Sequence, residues 1–242
     1  MSAESRPAFY ALAPGGWRDY VTLLHPPYTV WHLSFVAIGA GLAPHFSWTR
    51  AGAAVGAFAL ALGVGAHALD EQMGRPLQTR IPDATLVVLA SLSVAAAVGI
   101  GVYASIAWTA ALVPFVAFGA FIVIAYNLEL FGGRFHNGVW FALAWGGLPA
   151  LSGYVVEAGT IRAAAIAAAL YATLQSAAQR VLSTPVRDTR RRVATVEGTV
   201  ELRDGTRTPV TRQTLMATQE TALRLLAAAS VALAVAVLAL RL

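Results

Sequence analysis

Long apolar runs separated by short polar segments dominate the pattern along this chain. Seven runs are each close to the ~20 residues that a helix needs to cross a bilayer. Ala and Gly are the main residues of the second, third and sixth runs, which suits close packing of helices in lipid. The pattern therefore predicts one all-α, polytopic membrane domain over residues 1–242. Its predicted spans are Tyr28–Pro44, Ala51–Asp70, Ala84–Ala104, Ile106–Tyr126, Val139–Val156, Ile161–Leu182 and Thr221–Leu240.

Composition supports a membrane protein and excludes several kinds of chemistry. Hydrophobic residues make up 57% of the 242 residues and charged residues only 12%, whereas a soluble domain usually has about 25% charged residues. The chain has no cysteine, which excludes disulfides and thiolate catalysis. Every basic residue is arginine, so a Schiff-base lysine and a Walker lysine are excluded as well. Residues 1–20 are polar and mixed, so no signal peptide is predicted.

The arginines predict the orientation in the membrane. With the N-terminus inside, fourteen arginines fall in inner loops or at inner helix ends, and only Arg50, Arg162 and Arg241 fall outside. This asymmetry is a strong positive-inside signal. We therefore predict a multi-pass protein of the cell membrane with a cytoplasmic N-terminus and an outer C-terminus. Topology explains the net charge of +5, so we expect no nucleic-acid partner.

The longest polar segment, residues 183–220, is predicted to be a cytoplasmic loop with a hairpin insertion. Val193–Leu202 and Arg207–Thr211 are rich in Thr and Val, and they flank an Asp204-Gly205 turn. This pattern is typical of a β-hairpin. Residues 213–220 are predicted to begin the helix that continues into the last span.

Candidate chemistry begins in the stretch His67–Leu77, where the second apolar run meets water. His67, Asp70 and Glu71 stand at i, i+3 and i+4 and are predicted to share one helix face. The residues Gly74-Arg75-Pro76 then end the helix and place a cation beside the acids. Carboxylates at the mouth of a membrane helix are costly, so a functional site is the default interpretation.

A second candidate cluster follows the fourth span on the same side of the membrane. Residues 126–137 bring Tyr126, Asn127, Glu129, Arg134 and His136 around a glycine turn. A solvated loop with an N-cap at Asn137 explains these residues equally simply. The closeness of Glu129 to an apolar run favours a site.

Two further sets of polar residues lie inside the predicted spans. His32 is one to one and a half turns inside the first span, or ~7 Å deep at 1.5 Å per residue. Gln175 and Gln179 form a stripe with Ser183 on the cytoplasmic half of the sixth span. Hydrogen bonding between helices and lining of a cavity both fit these residues.

Several short sequence segments, in their order along the chain, resemble the UbiA superfamily of intramembrane prenyltransferases. The likeness covers roughly residues 17 to 192, and each of its pieces is short. The family usually has Arg-Pro where this chain has Leu24–Pro27, and Arg-Pro-Leu-Pro-Thr-Gly where it has Gly74–Ile81. Its second aspartate motif begins where this chain has Arg187-Asp188. The pieces are Leu24–Pro27, Gly74–Ile81, Tyr126 with its glycine turn, Gly147–Pro149 with Gly153-Tyr154, and Arg187-Asp188.

The resemblance implies a UbiA-like bundle that transfers an isoprenoid group from a prenyl diphosphate to a lipophilic or aromatic acceptor. Mg²⁺ would be held by Asp70 and Glu71, with Glu129 and Asp188 as further ligands. The diphosphate would be bound by Arg75, Arg134 and Arg187, whose guanidinium groups suit phosphate oxygens. Tyr126 would stabilise the allylic cation through its ring, and the apolar bundle would hold the isoprenoid tail. The implied catalytic residues are Asp70, Glu71, Glu129 and Tyr126, and the cavity-lining residues are His32, Asn127, Gln175 and Gln179.

Departures from the family motifs leave two alternatives open. If His67 takes the place of the first motif's Asn, its two aspartates become Ala68 and Glu71, and Asp70 is an added acid. A mixed set of imidazoles and carboxylates suits Fe, Mn or Zn better than Mg²⁺. The second hypothesis is therefore a metal-dependent membrane enzyme acting on a lipid or quinone. A non-catalytic protein that binds a prenyl lipid is the third. The predicted metal ligands are His67, Asp70, Glu71, Glu129, His136 and Asp188.

Overall fold

The computed structural model describes residues 6–242, and this part of the chain is mostly helical with one small sheet. Two helices, Trp48–Gln72 and Gly138–Ala158, change from α to π geometry and back along their length. The elements in chain order are α1 (Trp17–Leu23), α2 (Pro26–Gly41), α3 (Trp48–Gln72), α4 (Asp83–Ala107), α5 (Val113–Asn127), α6 (Gly138–Ala158), α7 (Ala163–Arg191), β1 (Thr199–Glu201), β2 (Arg207–Pro209) and α8 (Arg212–Ala239).

Five helices are long and apolar enough to cross a membrane, namely α3, α4, α6, α8 and the run Ala110–Asn127 that contains α5. They coincide with five of the seven predicted spans. The other two predicted spans fall on α2, which has 16 residues, and on α7, whose last turn carries arginines. A bundle of apolar helices is therefore confirmed, while the count of seven and the orientation stay predictions.

The helices pack closely because glycines replace bulkier residues where backbones meet. On α2, a Cβ built at Gly39 would overlap the carbonyl oxygen of Ala150 on α6. On α6, a Cβ at Gly153 would overlap the carbonyl oxygen of Val36 on α2. Such small-residue contacts let helices approach backbone to backbone. The α2–α6 pair forms the centre of the bundle, with α7 and α8 packed around Trp31.

The π-helical segment of α3 spans Ala59–Ala66 and ends directly before His67. A π turn adds a residue to the helical repeat and rotates everything that follows it relative to an unbroken α-helix. The polar stretch at the end of α3 therefore faces a direction that a simple 3.6-residue period does not predict. Segments of this kind are frequent at functional sites.

The predicted hairpin is confirmed. Strands β1 and β2 pair antiparallel with Val200 opposite Thr208, and Asp204-Gly205 lies in the turn between them. Helix α8 includes the predicted helical residues 213–220 and continues into the last span, and a capping box at Thr211 begins it. Helix α7 continues to Arg191, so residues 183–191 of the predicted cytoplasmic loop are helical.

Candidate functional site

A cavity of about 510 Å³ lies at the end of the bundle that is predicted to be cytoplasmic. Its walls come from α2, α3, the end of α5 with the loop after it, α6, α7, and the N-terminal segment before α1. It holds most of the residues that the sequence singles out, although they come from distant parts of the chain. The predicted site residues that line it are His32, His67, Asp70, Tyr126, Asn127, Glu129, His136, Gln179, Arg187 and Asp188.

Glu71 is fully buried but is not among the residues that line the cavity. Its two carboxylate oxygens accept hydrogen bonds from the backbone N–H groups of Leu77 and Thr79, each at 2.9 Å, and from the Thr79 hydroxyl, also at 2.9 Å. These three bonds satisfy donors of the loop that follows α3. Glu71 therefore fixes a loop in this structure, and Asp70 is the carboxylate that faces the cavity.

The other predicted residues outside the cavity are Arg75, Arg134 and Gln175. Arg75 donates to the carbonyls of Thr79 and Ile81 and pairs with Asp83, so its guanidinium is used within the loop. Arg134 is exposed. Of the three arginines predicted to bind diphosphate, Arg187 is the one that lines the cavity.

Two imidazoles form one wall of the cavity. The rings of His25 and His67 stack with centroids 3.9 Å apart and an angle of 7°. The Tyr10 hydroxyl lies 2.7 Å from Nδ1 of His25, and Nδ1 of His67 lies 3.1 Å from the carbonyl oxygen of Gly63. Burial, with the adjacent His67, lowers the pKa of His25 well below its usual range. Burial raises the pKa of Tyr10. Both groups are therefore neutral at pH 7.

Arginines of α7 form the opposite wall. Arg180, Arg187, Arg190, Arg191 and Arg192 all line the cavity. Arg190 pairs with Glu220 of α8 at 2.6 Å, and Arg192 is 3.6 Å from Asp188. Within residues 6–242, no carboxylate lies within 4 Å of Arg180, Arg187 or Arg191. The wall thus presents guanidinium groups whose charge is not neutralised by a direct ion pair.

The deep part of the cavity is aromatic, with polar atoms among the rings. Tyr126 lies 4.6 Å from Trp145 between ring centroids, and Phe141 stacks on Trp145 at 5.5 Å. Nδ1 of His32, the Tyr126 hydroxyl and Oε1 of Gln179 are buried, and none has a hydrogen-bond partner in the described part of the chain. Buried polar atoms are normally paired, so this region suits water or a polar ligand.

A second cavity, of about 110 Å³ and almost wholly apolar, lies deeper in the bundle. It is lined by α3, α4, α5 and α6, with Phe58, Leu62 and Phe115 among its side chains. Trp145 lines both this cavity and the polar one. The arginine-rich cavity and the apolar cavity therefore adjoin at the indole of Trp145.

Apart from Glu71, the predicted metal ligands line one cavity, but they are not clustered. In residues 6–242, no group of three or more His, Asp or Glu side chains is arranged to hold a metal ion. The closest predicted pair is His136 and Glu129, with Nδ1 and Oε1 3.8 Å apart. Nδ1 of His136 is also 2.9 Å from the carbonyl oxygen of Tyr126. The predictions of Mg²⁺, or of Fe, Mn or Zn, stay predictions.

Comparison with known proteins yields no match: no family model, no curated protein and no solved structure is similar to the chain.

Several cavity residues were not predicted. The N-terminal residues Pro7–Tyr10 line the cavity, but they lie in a segment without any hydrophobic period. Arg190–Arg192 belong to the arginines of the positive-inside signal, and membrane topology alone explains their presence. Trp145 lies inside an apolar span, where nothing distinguishes an indole that faces a cavity from one in the core. The run of three arginines, Arg190–Arg192, is the one feature in the sequence that distinguishes these cavity residues.

Proposed function

We propose that this protein is a UbiA-like membrane prenyltransferase, which moves an isoprenoid group from a prenyl diphosphate to a lipophilic or aromatic acceptor. The observation that carries the proposal is the junction at Trp145 between a polar, arginine-rich cavity and an apolar one. A prenyl diphosphate has the same division, because a multiply charged head is joined to a hydrocarbon tail.

Arginines of α7 would bind the head. Arg180 and Arg187 line the polar cavity without a direct ion pair, and guanidinium groups bind phosphate oxygens through two parallel N–H donors. In the reaction the allylic C–O bond breaks and its electron pair leaves with the diphosphate. The arginines would stabilise the charge that develops on this leaving group.

The allylic carbon then bonds to the acceptor, and the acceptor loses a proton. The rings of Tyr126 and Phe141 line the polar cavity next to Trp145, which also lines the apolar one, so these rings would face the electron-poor carbon during transfer. An aromatic face attracts positive charge. Apolar walls also keep water from the cation.

Within residues 6–242, the polar cavity offers carboxylates for Mg²⁺ but no cluster of three or more ligands. The ion commonly uses one or two protein carboxylates together with substrate phosphates, so a cluster of three protein ligands is not required. Asp70 and Asp188 both line the polar cavity and would be its ligands. Bound there, Mg²⁺ would neutralise charge on the leaving diphosphate.

The experiment is release of diphosphate from a prenyl diphosphate by the purified protein in lipid vesicles, with and without Mg²⁺. Arg187→Gln removes a charge-assisted hydrogen bond and should lower the rate by about 10- to 100-fold. Arg203→Gln is the matched control, because Arg203 is exposed in the hairpin and should leave the rate unchanged. Equal rates for the two variants would contradict the proposed head site.

The two alternatives predict other results. A transition-metal enzyme should carry Fe, Mn or Zn after purification and lose it on His67→Ala and His136→Ala, which elemental analysis measures. Four histidines line the polar cavity, namely His25, His32, His67 and His136, and this keeps that alternative open. A non-catalytic protein should bind a prenyl lipid tightly but release no diphosphate under any condition.

A further inference from the structure

The N-terminal segment 6–14, here named the strap, has no regular secondary structure and crosses the polar cavity. Pro7–Tyr10 line the cavity. On one side the strap contacts His25 and Leu77, which belong to the α2 and α3 ends of the bundle. On the other side it contacts Arg190 of α7 and Arg224 of α8. The strap therefore bridges the two walls of the cavity.

Contacts at several points hold the strap in place, among them a hydrogen bond of 3.0 Å from the Leu12 N–H to the Thr22 hydroxyl of α1. The Tyr10 hydroxyl bonds to His25 at 2.7 Å, and the Arg224 guanidinium lies 4.8 Å from the centre of the Phe9 ring. Nη1 of Arg190 donates to the carbonyl oxygen of Arg6 at 3.3 Å. The apolar contact with Leu77 is made mainly by two small residues, Ala8 and Ala11. The Phe9 and Tyr10 rings also pack edge-on against Tyr28, with centroids 6.2 Å and 5.5 Å apart, so the contacts of these two rings are the ones that opening must release.

A glycine pair lies directly after the strap. Gly15 and Gly16 have φ values of +119° and +61°, and a Cβ at either position would meet no atom within 4 Å. Glycine adopts such angles freely, and no side chain packs against the Cβ positions of the pair. The chain beyond the pair is fixed, since Asp19 of α1 accepts hydrogen bonds from the N–H groups of Gly15 and Arg80, both at 2.9 Å. Movement would therefore pivot at the glycines.

We propose that the strap is a hinged lid, which swings on Gly15-Gly16 to open and close the polar cavity to water-soluble anions. The contacts of Phe9 and Tyr10 are its latches. The inference concerns access to the cavity and holds whether or not a prenyl group is transferred there.

The chain's lack of cysteine allows a direct test. A reporter thiol is placed inside the cavity as Ser183→Cys, a position that is 6% exposed, or as Ala66→Cys. Thr199→Cys in the exposed hairpin reports the reactivity of an open position. The full-length protein in vesicles is treated with a charged methanethiosulfonate reagent, and the rate of modification is measured without any prenyl diphosphate.

We expect slow modification of the cavity thiol and fast modification of Thr199→Cys. Tyr10→Phe and Phe9→Leu each remove one latch and should accelerate modification of the cavity thiol by about 3- to 10-fold. Tyr20→Phe is the matched control, because Tyr20 is exposed on α1 and should leave the rate unchanged.

Two results would overturn the lid. One is a cavity thiol that reacts as fast as Thr199→Cys in the unaltered strap. The other is a slow rate that neither latch variant changes. A second cavity reporter makes the test independent of the folding of one variant. Because no substrate is present, failure of the lid and failure of prenyl transfer are separate outcomes.

Discussion

At the scale of single residues, Asp70 and Glu71 show how neighbours on a helix take different tasks. Both are carboxylates at the end of α3, and both were predicted to be catalytic and to bind metal. The side chain of Asp70 lines the polar cavity, whereas Glu71 satisfies three donors of the following loop. Adjacent positions on a helix point about 100° apart, so one faces the cavity while the other faces the protein.

This difference gives a paired prediction. Glu71→Gln places an N–H₂ group against backbone N–H donors, so a buried donor is left without an acceptor. We expect the free energy of unfolding to fall by about 2–3 kcal/mol, measured by denaturation of the purified protein in mixed micelles. Asp70→Asn should change stability little and should lower diphosphate release instead. If Glu71→Gln kept full stability but lost activity, this result would support the predicted role of Glu71 as a metal ligand.

At the scale of elements, the close contact between α2 and α6 sets the position of the cavity wall. Gly39 and Gly153 allow the two backbones to meet, and His32 lies on the same α2, further towards the cavity. A larger residue at the contact would push the helices apart. Stability and the geometry of the cavity therefore depend on the same pair.

We expect Gly153→Ala to destabilise the protein by about 1–3 kcal/mol, because the added methyl group overlaps a backbone carbonyl that has no room to move. Gly99→Ala is the control. Gly99 lies in α4 with no atom within 4 Å of its Cβ position, and alanine there should be neutral or slightly stabilising. Unfolding in mixed micelles compares the two variants, and similar effects would show that the α2–α6 contact is not tight.

At the scale of the whole molecule, two cavities of opposite character share the wall at Trp145. The polar one takes its charge from α7 and its imidazoles from α2, α3 and the loop after α5, while the apolar one is lined mainly by α3, α4, α5 and α6. No single helix defines either cavity. Their alignment is what suggests an amphiphilic substrate.

Filling the apolar cavity should therefore shorten the tail that the protein accepts. Gly119 lines this cavity, and its nearest neighbour would be 3.8 Å from an added Cβ, so the side chain in Gly119→Leu would enter the open space. The kcat/KM ratio of a long to a short prenyl diphosphate should fall by at least about 10-fold, since each buried CH₂ contributes about 0.8 kcal/mol. Gly99→Leu, which is exposed, should leave this ratio unchanged. An unchanged ratio in Gly119→Leu would place the tail elsewhere.

The sequence by itself determined the class of fold and the local elements. Uncharged runs of bilayer length predicted the apolar helices, and an Asp-Gly turn between Thr- and Val-rich runs predicted the hairpin. It also predicted that His67, Asp70, Glu129 and His136 would lie at one end of the bundle, since charged side chains are excluded from the apolar interior.

Only the tertiary structure decided which side chains face the cavity. In a membrane bundle the lipid-facing and core-facing residues are equally apolar, so the sequence pattern does not orient the helices. The π segment Ala59–Ala66 further rotates the end of α3, so Asp70 and Glu71 both face directions that an unbroken 3.6-residue period does not predict. The strap at residues 6–14 and the indole of Trp145 carry no periodic signal, because their positions depend on contacts with residues far away in the chain.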